Sequence, residues 1–234
     1  MTLLPDDLAA RAVPSLRRAA ADALALILPV HCAGCTTGGI GLCEPCRSAL
    51  APRVRRRPVA GFAAHAGLVF DGPRARTIRA FKEEGRTGLA RPLAGALRAA
   101  AAAAVAECPP AAAPGGWTVV CVPASRAGLR RRGFRPVELL ASRAGLHPAR
   151  LLLAARATGD QRGLDREARR RNVAGSMRAR GVHGRGILLV DDVITTGATL
   201  AEARRTLLAA GASLVAIAAL AATPRRDESE GTPR

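Results

Sequence analysis

Two adjacent carboxylates, Asp191 and Asp192, follow the apolar run Ile187-Leu188-Leu189-Val190 and precede Thr195-Thr196-Gly197-Ala198-Thr199. Four apolar residues of this kind read as a buried parallel strand, with the acids at its C-terminal tip. A turn of small residues opening a helix presents backbone N–H groups and a positive dipole end to a phosphate. Carboxylates beside it accept hydrogen bonds from sugar hydroxyls or hold a hydrated Mg²⁺. A phosphate cradle next to a diol or metal grip suits a ribose-5-phosphate group. Helix capping alone needs one Asp or Thr, not two acids plus Thr195, Thr196 and Thr199. The Gly-Lys-Ser/Thr of a Walker loop is missing.

A second constellation is Cys32-x-x-Cys35 and Cys43-x-x-Cys46, two knuckles separated by seven residues. Four thiolates can close a tetrahedral Zn²⁺ shell. Gly34, Gly38, Gly39 and Gly41 permit the tight backbone that this needs. A module of this size has no core of its own, so metal would supply most of its folding free energy. A redox pair, an iron–sulfur site or a degenerate site are the other readings of the same spacing. His31, next to a ligand, reads as a neighbour that supports the cluster or as incidental to it, and Cys108 and Cys121 as buried core thiols.

The elements that must position these residues follow from patterning. The 234 residues suit one α/β domain plus a small module. Nearly half are apolar (49%), but aromatics are scarce, so Ala, Leu and Val must fill the core. The formal net charge of +18 is carried by arginine, with Lys82 the lone lysine. Part of that charge is a general Ala, Arg, Gly and Pro bias of the whole chain; the rest should attract anionic partners. Residues 1–28 read as a helical leader and 29–50 as the four-cysteine zinc module. A basic linker is expected over 51–60, an α/β domain over 61–222, and a disordered tail over 223–234. Strands are expected at Leu68–Phe70, Trp117–Val122, Arg150–Ala154, Ile187–Val190 and Leu214–Leu220, alternating with helices, which argues for a parallel sheet flanked by helices. Thr158–Arg180 reads as a long flap. No segment is expected to span a membrane. The apolar stretch before the cysteines is interrupted by Asp22 and makes a poor signal peptide, so a cytoplasmic location is expected.

The run from Ile187 to Leu200 resembles the binding motif for phosphoribosyl pyrophosphate (PRPP) in type I phosphoribosyltransferases. Preceded by the two CxxC pairs, it resembles the arrangement of the ComF family. Four further stretches carry that resemblance: Ile78-Arg79-Ala80-Phe81-Lys82 with Gly85; Val122-Pro123 with Arg126 and Arg132-Gly133-Phe134; Gln161 with Arg169 and Asn172-Val173; and Gly211-Ala212. Arg135-Pro136 departs from the family, where an Asn-Gln pair is common, and Glu83 stands where an aromatic is usual. The resemblance implies a type I phosphoribosyltransferase fold with a zinc-ribbon-like module. It implies PRPP and Mg²⁺ as ligands, structural Zn²⁺ on Cys32, Cys35, Cys43 and Cys46, and a link to DNA uptake in competence. Catalytic roles then fall to Asp191, Asp192, Lys82 and Arg169, the last on the flap. Thr195, Thr196, Gly197, Ala198 and Thr199 would hold the 5-phosphate. A cationic loop with Arg126, Arg130, Arg132 and Gly133 would hold the pyrophosphate. No acceptor and no oligomeric state can be read. The competing expectation is an accessory factor that senses PRPP or binds single-stranded DNA through its arginines without turnover.

Overall fold

The computed structural model describes residues 31–38, 41–155 and 175–224. The leader over 1–28, the tail beyond 224, and Gln161, Arg169 and Asn172 of the expected flap lie outside the described residues.

The main sheet has five strands, in the order β1 (Arg55–Val59), β2 (Phe62–Val69), β7 (Leu214–Ala222), β6 (Gly186–Ile194) and β3 (Thr118–Cys121). The four strands from β2 to β3 are parallel, and β1 pairs antiparallel with β2 at the edge. Alternation along β6 feeds two cores. The short helix α1 (Glu44–Ser48) carries Cys46, and Leu188 and Val190 face the helices α2 (Gly72–Glu83), α3 (Ala90–Ala106) and α5 (Pro136–Arg143). Ile187 and Leu189 face α6 (Ala198–Ala209), where Leu200 and Leu207 are buried. Both faces are covered, which is why the central strands are apolar throughout.

Alanine does much of the packing. Ala96 and Ala100 of α3 are fully buried, and the helix backbone lies so close to β2 that a Cβ on Gly67 would sit 2.1 Å from the Ala96 carbonyl oxygen. Small side chains let this helix approach the sheet and fill the space that aromatics would otherwise take. The 20-residue stretch Thr87–Ala106 is long and apolar enough to cross a membrane by length and composition alone. Here it packs on β2 and β7.

Three expectations need correction. The segment read as a basic linker over 51–60 contains β1, whose Val59 is buried and whose Arg56 pairs with Glu107 at 2.9 Å. Arginines and Pro58 disguised a strand because an edge tolerates both. The strand at Arg150–Ala154 is real but short, β4 (Leu152–Ala154). It pairs with β5 (Met177–Ala179) in a separate two-stranded sheet beside the main one. The cationic loop after β3 is largely a short helix, α4 (Arg126–Arg132), capped by Ser125, whose Oγ accepts from the Gly128 N–H at 3.0 Å.

Candidate substrate cavity and four-cysteine cluster

Asp191 and Asp192 do not follow β6; they lie within it, and the strand runs on to Ile194. Being consecutive in a strand, they point to opposite faces. The Asp192 carboxylate is buried, 7% exposed, and its Oδ2 lies 2.5 Å from Lys82 Nζ. Lys82 reaches it from the last turn of α2, which is anchored by the buried Ile78 and Phe81. Phe81 meets Phe134 edge-on at 5.8 Å between ring centres. Burial works against the Lys82 charge, but Asp192 and then Asp191 outweigh it and hold its pKa above the ordinary value. Among the described residues, Asp191 is left without a cation of its own. Burial, then the Asp192 carboxylate, pushes its acid up to about 7, with Lys82 offsetting only part. A pair of carboxylates sharing one ammonium carries surplus negative charge, which a divalent cation would neutralise.

These groups open on a cavity of about 420 Å³ at the carboxyl end of the sheet, where open α/β folds bind ligands. Lys82, Asp191, Asp192, Arg132, Thr195 and Thr199 all line it. The fold thus brings these six side chains to one cavity. Thr196, Gly197 and Ala198 form the turn behind Thr195 and Thr199; Thr196 Oγ1 accepts from the Ala198 N–H at 3.4 Å. Gly197 has φ +76°, and a Cβ there would sit 2.1 Å from Val59 Cγ1 of β1. That position admits only glycine, for conformation and for space.

Arg126, Arg130 and Gly133 do not line this cavity. In place of a loop, the helix α4 presents Arg131 and Arg132 to it and turns Arg126 and Arg130 elsewhere. Gly128 lies beneath Arg132, where a Cβ would sit 2.5 Å from its Nη2 and displace the end of that side chain. Burial and the neighbouring Arg131 lower the Arg132 pKa, while Asp192 pulls the other way. The Arg132 Nε and the Ser176 Oγ are both buried and have no hydrogen-bond partner among the described residues, a costly state that a bound ligand would relieve. Ser176, Met177, Arg135 and Glu138 complete the wall and had no distinctive sequence signal. Ser176 is set in place from afar: the Glu202 carboxylate accepts from the Gly175 N–H at 2.8 Å.

The four cysteines of the module converge. Their sulfurs all lie within 4.8 Å of one another, with Cys43 Sγ 3.5 Å from Cys32 Sγ and 3.6 Å from Cys35 Sγ. A tetrahedral shell with Zn–S near 2.3 Å needs sulfurs about 3.8 Å apart. The backbone N–H groups of Gly34 and Cys43 both donate to Cys32 Sγ at 3.4 Å. Burial opposes ionisation of Cys32, yet these N–H groups bring its thiol down to about 6. All six cysteines are free thiols. The donor set fits a structural zinc ion. His31 takes no part in it; its Nδ1 lies 3.2 Å from the Thr36 carbonyl oxygen.

The module is not a separate bead. Cys32, Cys46 and Leu42 belong to the same core as Ile78 and Phe81 of α2. Arg76 Nε donates to the Gly34 carbonyl at 2.5 Å and Arg86 Nη2 to the Gly41 carbonyl at 2.8 Å. One face of α2 thus holds the cysteine module and its last turn delivers Lys82 to the cavity.

Comparison with known proteins agrees with this geometry. The phosphoribosyl transferase domain family matches residues 127–232. The DNA utilization protein YhgH of Escherichia coli O157:H7 is 36% identical over 111 residues, covering 45% of this chain and 49% of that protein. Its counterpart in strain K12 matches equally, and that of Shigella flexneri is 35% identical over the same length. The chain spans about half the length of the curated relatives it matches. Residues 127–232, a little under half of the chain, are thus similar to the phosphoribosyl transferase domain family, and the four-cysteine cluster is packed ahead of them.

Proposed function

We propose that the chain binds PRPP with Mg²⁺ in the cytoplasm and transfers its ribosyl phosphate to an acceptor, in a process linked to DNA use. One observation carries this reading: Asp191, Asp192, Lys82, Arg132, Thr195 and Thr199 converge on one cavity. In this reading the Thr195–Thr199 turn holds the 5-phosphate at the start of α6. The surplus carboxylate charge of Asp191 and Asp192 would hold Mg²⁺, which when bound would supply positive charge against the pyrophosphate. Arg131, Arg132 and Lys82 bind the pyrophosphate, and the Arg132 Nε gains the partner it lacks. The bond from ribose C1 to pyrophosphate oxygen breaks, and its electron pair leaves with pyrophosphate. A lone pair of the acceptor forms the new bond at C1, and the acceptor's proton passes to solvent. Preorganised positive charge at the leaving group is the protein's main contribution. Arg169, outside the described residues, keeps its proposed role of closing over the site. Zn²⁺ on Cys32, Cys35, Cys43 and Cys46 would hold the module, and through α2, Lys82. Free thiols throughout support a reducing compartment.

The test is thermal stabilisation by PRPP with Mg²⁺, abolished in Asp191→Asn/Asp192→Asn, followed by pyrophosphate release with a panel of acceptors. No stabilisation at millimolar PRPP refutes the reading. A second reading, PRPP binding without turnover, is favoured by the engagement of two cavity carboxylates, Asp192 by Lys82 and Glu138 by Arg150. PRPP binding with no pyrophosphate release under any acceptor selects it. A DNA role would use the basic edge strand β1 with Arg55 and Arg57, and predicts single-stranded DNA affinity that falls steeply with salt.

A further inference from the structure

A second cavity, of about 260 Å³, adjoins the first; Pro123, Ala124, Arg135, Glu138 and Ala154 border both. Four guanidinium groups line it: Arg126 at the start of α4, Arg135 ahead of α5, Arg150 ahead of β4, and Arg178 within β5. They come from four separate elements, so the fold gathers them, and not a single arginine-rich run. Among the described residues, the one acid facing them is Glu138. Its Oε2 accepts from Arg150 at 3.1 and 2.9 Å, and its Oε1 lies 3.5 Å from Arg135 Nη1. Arg126 and Arg178 face the same space and have no acidic partner among the described residues. Four cations against one carboxylate repel one another, and a dianion placed among them removes that repulsion. Guanidinium forks match phosphate oxygens in pairs.

We propose that this cavity binds the phosphate of a nucleoside 5′-monophosphate unit, which makes the acceptor for the neighbouring cavity a phosphate-bearing one. Binding of the phosphate stands on the arginine geometry alone; the word acceptor rests on the PRPP reading of the first cavity. The cavity continues into an open groove past Leu129, Phe134 and His147, which leaves room for the rest of the nucleotide. The same phosphate could belong to a free nucleotide or to the 5′ end of a nucleic-acid strand.

The experiment is calorimetric titration of the full chain with dAMP, deoxyadenosine, and a trinucleotide with and without a 5′-phosphate, each with and without saturating PRPP and Mg²⁺. The expected result is at least tenfold tighter binding of each phosphorylated ligand than of its unphosphorylated form, retained when PRPP is present. Arg178→Glu should weaken that binding at least tenfold, and leave the PRPP thermal shift unchanged. Arg178 is exposed at the surface, so its replacement does not threaten folding. Equal affinity for dAMP and the phosphorylated trinucleotide assigns the site to strand ends as well as free nucleotides; preference for dAMP assigns it to free nucleotides. Phosphate-independent binding, competition by PRPP, or indifference to Arg178→Glu overturns the proposal. Failure of PRPP to bind, with nucleotide binding intact, refutes the reading of the first cavity and leaves this one standing.

Discussion

Replacing Asp191 by Asn should make the ligand-free protein more stable, and the gain should depend on pH. In the folded chain burial and Asp192 raise this acid from 3.8 to about 7. Between those values the folded state binds more protons than the unfolded state, so stability falls as pH rises through the window. Above pH 7 the whole penalty is present; below pH 4 it is absent. A shift of roughly three units corresponds to about 4 kcal/mol, and cavity water brings the realistic gain for Asn to about 2–3 kcal/mol. Asn keeps an oxygen to accept from the Asp192 N–H, which bonds Asp191 Oδ1 at 2.8 Å. For a chain of this length the midpoint of thermal unfolding should rise about 5–10 °C at pH 8. The assay is a melting series from pH 4 to pH 9 on both proteins without Mg²⁺. The difference should be near zero at pH 4, grow to pH 7, and then level off. A lower midpoint for Asn at pH 8, or an advantage that does not change with pH, would falsify the account of Asp191 as an uncompensated charge. Asp192→Asn should do the reverse and lower the midpoint at pH 8, since it strips the half-buried Lys82 of its partner.

Four further outcomes follow from the same geometry. If Asp191 must ionise to hold Mg²⁺ with PRPP, affinity should fall about tenfold per pH unit below 7; calorimetry in two buffers of different ionisation heat should show a proton released on binding. Gly197→Ala should lose at least about 2 kcal/mol, because φ is +76° and the new methyl would overlap Val59; Val59→Ala should restore only part, since the backbone strain remains. Gly67→Ala should unfold or severely destabilise the domain, as its Cβ would meet the α3 backbone at 2.1 Å; urea midpoints measure this. Stripping zinc with a chelator, or Cys32→Ser, should lower the melting midpoint and also weaken PRPP binding, because the module packs on the helix that carries Lys82; unchanged PRPP affinity in chelated protein that remains folded would break that link.

Much of the site was legible in the residues because its chemistry is local. Asp191, Asp192 and Thr195–Thr199 fall within nine consecutive positions, so one strand, one turn and one helix start place them in a fixed relation. The same holds for Cys32, Cys35, Cys43 and Cys46, whose spacing brings four thiols together within a few turns of chain. Alternating apolar strands and helices specified the parallel sheet, because burial on both faces demands that pattern. Tertiary structure decided what depends on distance along the chain. That Lys82 takes Asp192 and leaves Asp191 bare requires α2 to pack against the end of β6, more than a hundred residues away in sequence. That α4 turns Arg131 and Arg132 inward and Arg126 outward depends on helical phase, which a glycine- and arginine-rich run does not reveal. Local spacing dictates which groups can share a site; long-range packing alone sets which of them meet, and with what charge left over.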